Sequence, residues 1–135
     1  MPKVVTVLLI NDEEKILILK RSNKVNTYKG MWGGVAGYIE ENEEPYETAT
    51  KEIKEEVGLK EEDVELLKKL DPISFTDFYE GKQYDWKIFP FLFKLKDKRK
   101  IKIDWEHSEY RWITPPQIKE FDTVPHLKEV VSKLL

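Results

Sequence analysis

The sequence contains no cysteine. This absence excludes disulfide bonds, thiolate metal sites and a cysteine nucleophile. Long apolar runs are also missing, since none approaches the roughly 20 residues that a membrane-spanning helix needs. Met1 to Asn11 lacks the basic and apolar segments of a secretory signal. We therefore expect a cytoplasmic protein with no membrane partner.

An excess of positive charge is absent too. The formal net charge is −3 at pH 7, which argues against a protein whose main role is to bind the nucleic acid backbone. The run from Lys94 to Lys102 contains six basic residues, but Lys96-Asp97-Lys98 is typical of a solvated hairpin tip. A nucleic acid partner is therefore not expected.

The 135 residues, of which 40% are hydrophobic and 12% aromatic, predict one domain over residues 1–135 with a real core. The β-branched run Val4 to Ile10 predicts a strand, and Ile16 to Leu19 its hairpin partner. Both are apolar on both faces, which favours the middle of a covered sheet. Further extended segments are predicted over Val64 to Phe78, Tyr84 to Leu95, Lys100 to Trp105 and Tyr110 to Ile113.

One strong helix is predicted in the first half of the chain. It follows the glycine-rich stretch Tyr28 to Gly37, where the backbone must take unusual angles or approach another group closely. Pro45 fits its first position and Gly58 the residue just past its end. Its apolar stripe is Tyr46, Ala49, Ile53 and Val57. With a closing helix over Leu127 to Leu135, the order of elements predicts an α/β fold, a mixed sheet with helices packed on it.

Three carboxylates of this helix lie on one face beside the buried stripe. Glu52, Glu55 and Glu56 stand at i, i+3 and i+4, so they span about 100° of the helix surface. Like charges at this spacing repel, whereas clustered carboxylate oxygens suit a hard cation such as Mg²⁺ or Mn²⁺. The alternative is a solvated acidic face in a glutamate-rich chain.

The segment around this cluster resembles the Nudix box, G-x5-E-x7-R-E-U-x-E-E-x-G-U with U apolar. Eight of its nine fixed positions match between Gly37 and Leu59, and Lys51 replaces arginine. The resemblance implies an α/β/α sandwich and a Mg²⁺-dependent hydrolase (Mn²⁺ is possible) that cleaves a nucleoside diphosphate linked to another group. A homodimer is possible. The alternatives are a non-catalytic nucleotide-sensing module and an isopentenyl diphosphate isomerase, which would use a cysteine.

The resemblance also assigns roles. Glu52, Glu55 and Glu56 would bind metal, with Glu52 as an alternative base, and Ala36 would offer its carbonyl. The residues expected to support the site are Gly37, Glu43, Lys51 and Gly58. Lysine cannot make the forked contact of arginine, but Lys51 is expected to contact Glu43 or another carboxylate of the box.

A further acid is expected from outside the box. Glu109, at the start of a predicted strand, is preferred over Glu106 because the sheet would fix its direction. Arg21 could bind a substrate phosphate, and Tyr28 or Trp86 could stack on a base. His107 and His126 are interpreted as surface residues.

Overall fold

The computed structural model describes residues 2–96 and 101–135. Within them the strands are β1 (Lys3–Ile10), β2 (Ile16–Arg21), β3 (Trp32–Gly33), β4 (Val35–Tyr38), β5 (Val64–Lys69), β6 (Ile73–Tyr79), β7 (Lys82–Leu95) and β8 (His107–Ile113). The helices are α1 (Pro45–Val57) and α2 (Leu127–Leu134), with 3-10 turns at Glu61–Asp63 and Pro115–Glu120. In these two ranges no helix has the length and apolar character to cross a bilayer.

The described strands form one mixed sheet in which β1 is central. It pairs in parallel with β7 on one side, and on the other side it pairs antiparallel with β4 and, at its far end, with β2. Strands β3 and β8 extend the sheet beyond β2. On the opposite side, β5 and β6 pair with different halves of the long β7.

Both faces of the sheet are covered. Val5, Val7 and Leu9 of β1 enter a core beneath α1, while Leu8 between them enters a core beneath α2. Each such buried aliphatic side chain contributes about 1.5–3 kcal/mol. The predicted α/β/α sandwich with a covered central sheet is therefore confirmed.

Helix α1 has the predicted bounds. Pro45 is its first residue, and Gly58 ends it in the left-handed region at φ 73°, where glycine has no steric cost. The fully buried part of its stripe is Ala49, Ile53 and Val57. Tyr46 stays 37% exposed, although its ring packs 5.9 Å from that of Phe93.

The predicted strand from Lys100 to Trp105 is wrong over its described part. Residues 101–105 lie in no strand, because this segment crosses the end of α1, where the Lys102 N–H donates to the Val57 carbonyl at 3.0 Å. Ile101 is buried against the α1 core, whereas Trp105 is 61% exposed. Lys100, and the predicted hairpin tip at Asp97 and Lys98, lie outside the described residues.

Candidate active site

Two carboxylates of α1 are enclosed against strand β4. Glu56 is only 2% exposed, and its Oε1 accepts a hydrogen bond of 3.4 Å from the Ala36 N–H. The side chain of Glu52 lies directly on Gly37, so that any Cβ at that position would overlap it. Gly37 is therefore required because a helix carboxylate occupies the space of its missing side chain.

The two carboxyl groups face each other at hydrogen-bonding distance. Burial raises the pKa of Glu56 well above its usual value, and the neighbouring Glu52 raises it further. Burial also raises the pKa of Glu52. Without a metal ion, both carboxyl groups therefore ionise at a higher pH than an exposed glutamate does.

The Glu52–Glu56 pair fits a divalent cation. When both groups are ionised neither can donate, and the enclosed Oε2 of Glu56 then has no hydrogen-bond partner among the described residues. Glu55 is exposed and lies near enough to affect the ionisation of Glu52 and Glu106. In the described ranges no three carboxylate or imidazole groups already converge as a complete ligand set. Mg²⁺ is commonly held by one or two carboxylates together with substrate phosphates and water.

Lys51, in the middle of α1, contacts Glu43, as expected. Its Nζ lies 2.8 Å from Glu43 Oε2, and this contact lowers the pKa of Glu43. Glu43 Oε1 also accepts hydrogen bonds from the Glu40 N–H and the Thr48 hydroxyl, both at 3.0 Å. The contacts of Glu43 with Lys51 and Thr48 tie the loop before α1 to the turn of helix that precedes Glu52, and its contact with Glu40 closes the loop on itself.

Lys51→Ala is expected to lower kcat roughly 10-fold, since a loss of bracing shifts the helix carboxylates by a fraction of an ångström. Lys51→Arg should retain activity. Stability should change by less than about 1 kcal/mol because the ion pair is partly exposed. Steady-state kinetics beside Lys54→Ala, an exposed lysine on the same helix, tests this. Equal rates for Lys51→Ala and Lys54→Ala would contradict the bracing role.

The expectation that Glu109 shares a face with the helix carboxylates is wrong. In the β2–β8 register Arg111 pairs with Ile18, a residue of the α2 core, and the Arg111 guanidinium lies 5.5 Å from the Trp32 ring on that side. Glu109, two residues away, accepts hydrogen bonds from this guanidinium at 3.0 and 3.1 Å. It therefore lies on the face opposite α1, paired with an arginine.

Glu106 lies at the site instead. The register of β8 shifts between Lys20 and Arg21, which pair with Glu109 and His107 respectively. Such a bulge reverses the alternation of side chains and turns His107 toward α1, whereas Glu106 lies in the turn before β8 and lines the same cleft as Glu52. Burial raises the pKa of Glu106, and Asp104 raises it further, whereas the Arg21 guanidinium lowers it.

His107 is buried beside the pair and is not the surface residue that the sequence predicts. It is 7% exposed, with Nδ1 3.0 Å from Asp104 Oδ1 and Nε2 3.8 Å from Glu56 Oε1. Burial lowers its pKa, against the opposing effect of Asp104. The sequence gives no signal for this placement because the bulge creates it.

A cleft of about 460 Å³ adjoins Glu52 and Glu106, within the usual size for a small-molecule site. Its floor is one face of the sheet, formed by alternate residues of β4, β1 and β7: Ala36, Tyr38, Val4, Thr6, Trp86 and Ile88. Arg21 lines it, with its guanidinium donating to Thr27. The Arg21 guanidinium thus lines the same cleft as the carboxylates of Glu52 and Glu106.

Both aromatic candidates line this cleft. Trp86 stacks on Tyr84 with ring centroids 5.8 Å apart and lies 6.1 Å from Tyr38. Tyr28 is 8% exposed at φ 52°, and its ring packs 4.5 Å from Tyr79. Of the predicted substrate-binding residues, the structure therefore brings Arg21, Tyr28 and Trp86 to one cavity.

Comparisons with known proteins agree with this architecture. The NUDIX domain model matches residues 1–134. The nucleoside triphosphatase NudI of Escherichia coli O139:H28 is 26% identical over 121 residues, which cover 84% of this chain and 83% of NudI. A C. elegans Ap4A hydrolase binary complex superposes with a TM-score of 0.80 at 16% identity, covering 99% and 95% of the two chains. The E. coli dihydroneopterin triphosphate pyrophosphohydrolase gives 0.76 at 22% identity over 97% and 92%.

Proposed function

Because the chain belongs to the Nudix family and is a hydrolase of diphosphate bonds in nucleotide-like substrates, we propose that Glu52 and Glu56 bind a divalent metal at that bond. The observation that carries this proposal is the buried Glu52–Glu56 pair at the end of the cleft, with one oxygen lacking a donor in the described chain. Glu55 and the Ala36 carbonyl are the further ligands proposed. Mg²⁺ is the expected ion, with Mn²⁺ as a substitute.

The residues around the pair supply the remaining functions. A divalent cation held by these carboxylates would supply charge neutralisation of the diphosphate and a lowered pKa of the attacking water. Glu106 would accept a proton from the attacking water, and its raised pKa makes it a stronger base than an exposed carboxylate. Arg21 binds a phosphate oxygen through its guanidinium. Trp86 and Tyr28 flank the nucleoside.

The expected reaction is NDP-X + H₂O → NMP + phosphorylated X, or NTP → NMP + diphosphate. A panel of NTPs, dNTPs, nucleotide sugars, ADP-ribose and dinucleoside polyphosphates, assayed for released NMP by ion exchange, would identify the substrate. If no substrate were turned over with Mg²⁺ or Mn²⁺ present, the result would favour the alternative of a non-catalytic nucleotide-sensing module. A homodimer and a cytoplasmic location stay predictions.

Removal of metal is expected to abolish hydrolysis, because the proposed site uses a metal ion to neutralise the helix carboxylates together with the diphosphate. Activity should need millimolar Mg²⁺ or Mn²⁺ and should return when metal is restored after EDTA treatment. Metal should also raise the melting temperature, since it binds only the folded arrangement. Full activity in protein shown by elemental analysis to be metal-free would refute the proposed site.

A further inference from the structure

The end of the cleft remote from α1 carries a carboxylate that the proposed chemistry does not use. Asp77 lines the cleft, and its side chain is only 14% exposed. Asp77 faces inward on β6, whereas the alternate residues Ser74, Thr76 and Phe78 are exposed. A carboxylate this enclosed is costly unless its oxygens accept hydrogen bonds.

One oxygen of Asp77 has a fixed partner. His126 Nε2 lies 2.7 Å from Oδ1, and the imidazole stacks on Phe75 with ring centroids 3.7 Å apart. His126 in turn immediately precedes α2, with Nδ1 3.2 Å from Glu129 Oε1. These contacts hold the Asp77 carboxylate rigidly, and no side chain in the described ranges is recorded as a partner of Oδ2.

The position of Asp77 fits the base of a nucleotide. Three strand spacings separate β4, beside Glu52, from β6: β4 to β1, β1 to β7, and β7 to β6. The strand spacings alone give about 14 Å at about 4.8 Å each, and the offset along the strands adds to it, because Asp77 pairs with Tyr84 whereas β4 lies level with Ile88. This separation leaves room for a sugar and a base between the diphosphate and Asp77. Tyr38 and Trp86 lie on the floor between them and offer flat apolar surface to a ring.

The chemistry of a carboxylate restricts which base fits. An ionised carboxylate only accepts hydrogen bonds. Guanine presents two adjacent donors, N1–H and the 2-amino group. Adenine and cytosine place an acceptor nitrogen beside their amino group, and uracil flanks its single N–H with two carbonyls. Each of these three would bring an acceptor against the carboxylate, which leaves buried polar groups unpaired.

We propose that Asp77 is a specificity-determining residue that selects substrates with the 2-amino-4-oxopyrimidine edge of guanine. This inference rests on the proposed function, because it assumes that the diphosphate lies beside Glu52. A pterin has the same edge, so a pterin triphosphate is the second source of this chemistry. His126 is the positioning residue that fixes the orientation of the carboxylate.

Asp77→Asn tests the proposal with little change in shape. The asparagine oxygen can still accept from His126, so the bridge to α2 is preserved, while an amide donor replaces Oδ2 and opposes the donors of guanine. The wild type should favour GTP over ATP by at least about 10-fold in kcat/KM, the scale of a bidentate base contact. ITP, which lacks the 2-amino group, should fall between them.

In Asp77→Asn, kcat/KM for GTP should fall at least about 10-fold, whereas the ATP value should hold or rise because an amide pairs with adenine. General destabilisation would lower both. Asp85→Asn is the matched control, since Asp85 lies on β7 outside the cleft and bonds Thr76 and Gln83. A parallel assay with 7,8-dihydroneopterin triphosphate distinguishes a pterin substrate from a guanine nucleotide.

Binding separates this inference from the proposed hydrolysis. The α,β-methylene diphosphates of guanosine, inosine and adenosine, titrated calorimetrically with Mg²⁺, should show the same ranking and the same loss in Asp77→Asn. Ranked binding without turnover of any substrate would refute the hydrolysis alone. An equal affinity for the three analogues, no binding of any of them, or an unchanged ranking in Asp77→Asn would overturn the role of Asp77.

Discussion

Glu56→Gln is expected to lower kcat at least about 100-fold, the usual scale for loss of a metal ligand or general base. The amide keeps the shape of the carboxyl group but removes the charge that a cation requires. Glu52→Gln should have an effect of similar size. Steady-state kinetics at saturating Mg²⁺ measures both, and the Mg²⁺ concentration giving half-maximal activity should rise in parallel.

The stability of the metal-free variants distinguishes lost chemistry from lost folding. Burial raises the pKa of Glu56, so this group contributes stability that is fully present below its unfolded pKa of about 4.3 and is lost as the pH rises through the folded value. Glutamine stays neutral throughout. Glu56→Gln should therefore melt at a higher temperature than the wild type in EDTA, and the difference should grow as the pH rises above the unfolded pKa.

Near wild-type rates in both Glu52→Gln and Glu56→Gln would show that the cluster is a solvated acidic face and not a metal site. That interpretation also predicts little change in melting temperature, because surface substitutions usually change stability by less than about 0.5 kcal/mol. A low kcat with unchanged or higher thermal stability would exclude the solvated-face interpretation, and a parallel rise in the Mg²⁺ requirement would distinguish a metal ligand from a general base.

Local sequence signals were sufficient for much of the fold. Pro45 and Gly58 correctly bound α1, since capping depends on only a few neighbouring residues. The two-faced apolar pattern of β1 correctly predicted a covered sheet. The strand predicted from the alternation of Ile101 and Ile103 is absent, because these side chains pack near the end of α1, and local periodicity does not reveal such a contact.

In the candidate site, too, some features follow from local sequence and others depend on which strands pair. The proximity of Glu52 and Glu56 follows from helix geometry, and the Lys51–Glu43 contact could be expected from their places beside the same helix. The cleft depends on which strands pair: Asp77 reaches it only because β6 joins β7 and β7 joins β1. Strands β6 and β7 are joined by the short turn Glu80-Gly81, but the pairing of β7 with β1 joins residues far apart in sequence, such as Val4 and Ile88, and no local pattern specifies it.

Strand β8 illustrates the most consequential failure of local inference. Strict alternation of side chains from Tyr110 to Ile113 led to the prediction that the sheet fixes Glu109 toward the site. The register shift opposite Lys20 and Arg21 breaks that alternation. The pairing of Arg111 with Ile18 sets Glu109 on the face opposite α1, while Glu106 reaches the site from the turn before β8. Neither this pairing nor the bulge, which turns His107 toward Glu56, has a reliable sequence signature.

Glu106→Gln is therefore expected to lower kcat about 100-fold, while Glu109→Gln stays within about twofold of the wild type. The two substitutions are chemically identical and lie within one short segment, so each controls for the other. Glu109 loses only contacts to Arg111, where both side chains are substantially exposed, and pairs of this kind contribute little. Glu106 loses a carboxylate that lines the cleft.

The pH profile shows whether Glu106 acts as the base. The acid limb of kcat/KM reports the ionisation of an essential base in the free enzyme, and burial raises the pKa of Glu106, with Asp104 raising it and Arg21 lowering it. Removing the group should flatten that limb and leave a low, nearly pH-independent residual rate. An unchanged limb at reduced rate would make Glu106 a metal ligand instead of the base. Full activity in Glu106→Gln, or a large loss in Glu109→Gln, would refute the choice of Glu106 over Glu109 as the acid at the site.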